Sequence, residues 1–77
     1  MSNGYDTCVL IEALREGLHG LHVARMALVA EARELRLAGR RKERDVVWER
    51  VMEITEQIET SNRELARHLL KAKMEKV

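Results

Sequence analysis

The chain has 77 residues, 35% of them charged, and a net charge of +1, so it makes one small domain at most. The near-neutral balance supplies no global basic field of the kind nucleic-acid binders carry, and no apolar run approaches the roughly 20 residues that span a bilayer. Proline is absent, Tyr5 and Trp48 are the only aromatics, and the lone Cys8 cannot form an intrachain disulfide, which leaves oligomerisation as the expected source of stability.

Ala, Leu, Glu, Arg and Lys dominate, all strong helix formers, and no run of alternating β-branched residues bounded by turn residues is present. The fold class is therefore all-α. Three histidines and one cysteine reproduce no zinc-ligand spacing. The opening Met1-Ser2-Asn3-Gly4-Tyr5 has neither a basic nor an apolar leader region, so a cytoplasmic protein is expected.

Residues 1–5 are expected to form a flexible arm ahead of a single helical domain, 6–77. Asp6 or Thr7 is the expected N-cap, since either side chain accepts a bond from a free N–H of the first turn. From about 7 to 38 the pattern is helical. Ile11, Leu14, Leu18, Leu21, Leu28, Ala32 and Leu35 recur at threes and fours and share one face, with Leu14, Leu21, Leu28 and Leu35 forming a ladder of sevens. Gly17 and Gly20 lie inside this helix. With Ala13, Ala24 and Ala27 they make a stripe of small residues, which points to a continuous helix approached closely by a neighbour rather than to a break.

Gly39 stands where a left-handed residue ends a helix, and Arg40-Arg41-Lys42-Glu43-Arg44 makes the turn. Continuing the ladder by sevens lands on Lys42, Glu49 and Glu56, all charged, so one continuous rod is excluded. The second stripe is Val47, Val51, Ile54, Ile58, Leu65, Leu69 and Ala72, on a helix of about 43–76. Ser61-Asn62-Arg63-Glu64 matches a capping box, but the apolar register holds across it. Two helices of similar length joined by a short turn form an antiparallel hairpin.

The hairpin seam does not use all the apolar surface. Residues 23–30 are apolar nearly all round apart from Arg25, and Trp48 and Met52 form an i,i+4 pair beside the second stripe. A helix apolar on all sides is usually buried on all sides, so two hairpins are expected to pair into a four-helix bundle. The expected dimer or partner interface is Gly17, Gly20, Val23, Ala24, Met26, Ala27, Ala30, Trp48 and Met52.

Three constellations bear on chemistry. Glu16-x-x-His19, with His22, resembles half of a carboxylate-bridged metal bundle, but no second Glu-x-x-His exists. Half-exposed histidines in a polar layer near Ser61 and Asn62 are the better account. Arg25 replaces an expected leucine in the ladder's face and is either paired with Glu53, Glu56 or Gln57 or extended along the surface. Around the turn, Arg36, Arg40, Arg41, Lys42 and Arg44 are candidate phosphate-binding residues, and in the ordinary reading they complement the carboxyl end of the first helix.

No nucleophile stands beside a base, so no enzyme and no cofactor are expected. The closing segment Ser61–Met74 resembles the last helix of flagellar export chaperones, although one amphipathic helix implies no function. The expected role is a small protein-binding regulator or adaptor acting as a homodimer, without membrane contact. The alternatives are a nucleic-acid binder using the basic turn 33–44 and a metal-carboxylate bundle.

Overall fold

The computed structural model describes the backbone of residues 3–75 and the side chains of residues 8–75. It contains two α-helices, α1 (Asn3–Leu37) and α2 (Arg41–Glu75), that pack on each other as a hairpin. The rod measures 58 × 15 × 15 Å. Helix α1 begins earlier than the sequence suggests. The expected cap at Asp6 or Thr7 lies within it, as do residues 3–5 of the expected arm, while Met1, Ser2 and the capping side chains lie outside the described residues.

The turn follows from one glycine. Gly39 adopts φ 75°, the left-handed region that only glycine enters without a Cβ penalty. Its N–H donates to the Arg36 carbonyl at 3.1 Å, and the Arg40 N–H donates to the Leu35 carbonyl at 2.9 Å. This pair of bonds is the Schellman closure and satisfies carbonyls that the helix end leaves free. The Arg40 carbonyl then accepts from the Arg44 N–H at 3.0 Å and starts α2. Within that first turn the Arg40 Nε donates to Glu43 Oε1 at 2.9 Å, and Glu43 also lies at the positive end of the helix dipole.

Helix packing obeys a strict three-four alternation. In α1 the shielded positions are 11, 14, 18, 21, 25, 28, 32 and 35; in α2 they are 44, 47, 51, 54, 58, 61, 65, 68 and 72. Elsewhere only Val29, Thr55 and Glu64 are half-buried, so the contact is one narrow seam. Its centre is Leu18, Ile54 and Ile58, with Leu21, Leu28 and Leu65 packed against them, and Val51 is the most completely buried side chain.

Within the expected face of α1 the leucine ladder is half-buried, and Ile11, Leu18 and Ala32, at the alternate seam position of the heptad, lie deepest. One expectation changes. In α2 the seam passes through Ser61 and His68 instead of Leu69, which is 41% exposed. A seam that keeps the three-four alternation from Leu65 reaches His68 before Leu69, so geometry overrides hydrophobicity there.

Candidate partner-binding face

Helix α1 is continuous through Gly17 and Gly20, as expected, but not because helix α2 approaches them. A Cβ built on either glycine meets nothing within 4 Å. Gly17, Gly20, Ala24 and Ala27 are all exposed along one flank of the seam.

Arg25 has a partner other than the three expected. Its Nε donates to Thr55 Oγ1 at 3.0 Å, and that hydroxyl donates to the Val51 carbonyl at 2.8 Å. Glu53 instead accepts from Arg50 at 3.0 Å. Glu53, Glu56 and Gln57 line a different depression, beside Leu21 and Ser61, on the other side of the α2 seam. Thr55 is the residue of α2 that follows a seam position on the same side as Arg25, which explains the choice. The bond shows residue 25 level with residue 55. That offset sets His19 and His22 near the levels of Ser61 and Ile58, but both histidines are exposed. Among the described residues no group of three or more His, Cys, Asp or Glu could hold a metal ion.

The opposite flank from the glycines carries two adjoining openings. An open cavity of about 380 Å³ lies between the helices near the turn, lined by Val29, Ala32, Arg33, Arg36, Arg44, Asp45 and Trp48. A shallower depression of about 220 Å³ adjoins it, shares Val29 and Arg33, and adds Arg25, Met26 and Ala30. Trp48 is 48% exposed, Met52 54% and Met26 71%, although all three are large apolar side chains. Val29 and Trp48 each follow a seam residue directly, Leu28 and Val47. That shared position puts them on the same side of the hairpin.

The expected interface residues therefore separate. Met26, Trp48 and Met52 belong to the cavity flank, with Ala30 at its outer edge; Gly17, Gly20, Ala24 and Ala27 belong to the glycine flank; Val23 is exposed on the outer side of α1. The role of Val29 and Ala32 as cavity walls was not anticipated from the sequence, nor was the part played by Thr55. Their position next to, or within, the seam was the available signal.

The candidate phosphate residues separate as well. Arg40 is bound to Glu43, and Arg44 to Asp45 at 3.1 Å. Arg36 lines the cavity, whereas Arg41 and Lys42 are exposed on the first turn of α2. Among the described residues Arg33, Arg36, Arg41 and Lys42 form no ion pair. No helix among them is long and apolar enough to cross a membrane.

Comparison of the chain with protein-family models, with curated proteins and with solved structures found no match.

Proposed function

We propose that this chain is a small non-enzymatic regulator or adaptor that binds another protein and works in the cytoplasm as a dimer, two hairpins forming a four-helix bundle. One observation carries the reading. The chain exposes 6416 Å², whereas a compact monomer of 8.9 kDa exposes roughly 4800 Å². The excess, about 1600 Å² per chain, falls for two chains in the range buried by permanent dimers. Much of the surplus is apolar, with Val23, Met26, Trp48, Met52 and Leu70 about half exposed or more.

The second copy is assigned to the glycine flank. Small residues permit close approach of a helix backbone, and dispersion contacts across such an approach offset the roughly 1 kcal/mol each helical glycine costs. Among the described residues, nothing inside the hairpin provides that compensation. The cavity flank is left for the partner.

Solution mass measurement tests this, first on the unaltered chain and then on Gly17→Leu/Gly20→Leu. The expected result is a dimer that becomes a folded, helical monomer in the variant, with Trp48→Ala still dimeric. A stable folded monomer of the unaltered chain overturns the dimer. A variant that stays dimeric overturns the assignment of the flank.

A further inference from the structure

We propose that the arginine-rimmed slot beside Trp48 receives an acidic amphipathic helix of another protein. The proposal rests on the protein-binding reading above and is independent of the dimer.

The slot combines an apolar floor with unpaired positive charge. Val29, Trp48 and the adjoining Met26 supply the floor, all on one flank and all accessible. Tryptophan, methionine and arginine are the side chains enriched where interfaces concentrate their energy. Asp45, the one carboxylate lining the slot, is taken by Arg44 at 3.1 Å. Arg33 and Arg36 carry no carboxylate among the described residues, so the slot presents two free guanidiniums. Each guanidinium fits a carboxylate through two parallel hydrogen bonds.

Length points to a helix as the guest. From Arg36 back to Arg25 the track covers twelve residues of α1, roughly 16 Å, or three helical turns. An apolar stripe at i, i+3, i+4 and i+7 fills such a track between two helices, and glutamates beside the stripe reach the arginines. Phosphate would satisfy the same two cations, and one base would stack on Trp48. The remaining apolar length through Val29 and Met26 would then stay uncovered, so the surface favours the helix.

Trp48 is the only tryptophan and reports its own occupancy. The probe is a synthetic peptide of about 14 residues with a leucine stripe at that helical spacing and glutamates on both sides. Controls are the same peptide with lysine for glutamate, and an oligouridine. Titration of the full chain with the acidic peptide should give a saturable blue shift of Trp48 that weakens as salt is raised. Arg33→Glu/Arg36→Glu should lower the affinity by about tenfold or more with circular dichroism and solution mass unchanged. Absence of a saturable shift overturns the proposal. So do equal binding of the lysine peptide, an unchanged affinity in the double variant, and oligouridine binding that displaces the peptide. If Trp48 is already blue-shifted and shielded from acrylamide in a free dimer, the second copy occupies this flank, and the inference fails while the dimer stands. If the free chain is monomeric and the acidic peptide binds, the dimer fails while the inference stands.

Discussion

Arg25 and Thr55, thirty residues apart in the chain, are joined across the hairpin by one hydrogen bond of 3.0 Å, and Thr55 passes a second bond to the Val51 carbonyl. Arg25 occupies a seam position between Leu18 and Ala32, where an apolar residue would pack. A polar residue at one seam position sets register at some loss of stability. Thr55→Val should therefore cost about 1 kcal/mol in urea unfolding, because a half-buried donor loses its acceptor. Arg25→Leu should be neutral or stabilising, with a broader distribution of assemblies in solution. A loss above about 2 kcal/mol for Arg25→Leu would show that the bond outweighs seam packing.

Burial separates the apolar residues of α2 and α1 sharply. Ile54 is 4% exposed and Met26 71%. In a monomeric background such as Gly17→Leu/Gly20→Leu, Ile54→Ala should cost about 2–5 kcal/mol or abolish folding. Met26→Ala should change stability by less than about 0.5 kcal/mol. Thermal unfolding followed by circular dichroism distinguishes them, and equal effects would contradict the seam as placed.

Gly39→Ala isolates a backbone effect. The added Cβ meets nothing within 4 Å, so no neighbour resists it, but φ 75° lies in the region L-residues avoid. The substitution should cost about 1 kcal/mol, and Gly39→Asn less than Gly39→Ala, since asparagine tolerates that conformation better. Identical melting of all three proteins would argue against the Schellman turn.

The basic turn should matter little to stability. The Arg40–Glu43 pair is exposed on both sides, and Arg41 and Lys42 are unpaired among the described residues. Replacing Arg40, Arg41 and Lys42 with alanine should shift unfolding by no more than about 1 kcal/mol. Acidic-peptide affinity should stay within about twofold, because these side chains lie outside the slot and contribute only rim charge. A parallel loss of nucleic-acid affinity and of its salt dependence in this variant would favour the nucleic-acid alternative instead.

Much of the architecture was legible in the sequence because it depends on local chemistry and period. Helix-forming composition made the chain all-α. Gly39 marked the turn because only a left-handed residue ends that helix there, and the charged residues at 42, 49 and 56 showed that the apolar count restarts beyond it. The threes and fours identified one face on each helix.

Which residues on each face are buried, and which meet, was decided by the tertiary structure. A two-helix contact shields a line far narrower than the apolar face, so a small rotation about either axis exchanges the buried set. That rotation buries Ile11, Leu18 and Ala32 more deeply than the leucine ladder, and brings Ser61 and His68 into the seam while Leu69 stays out. The axial offset created by the Gly39 turn then gives Arg25 to Thr55 rather than to a glutamate, places the glycine stripe in open space, and opens the slot between Val29 and Trp48. Rotation and offset are properties of two packed helices together, and the period of either helix alone contains neither.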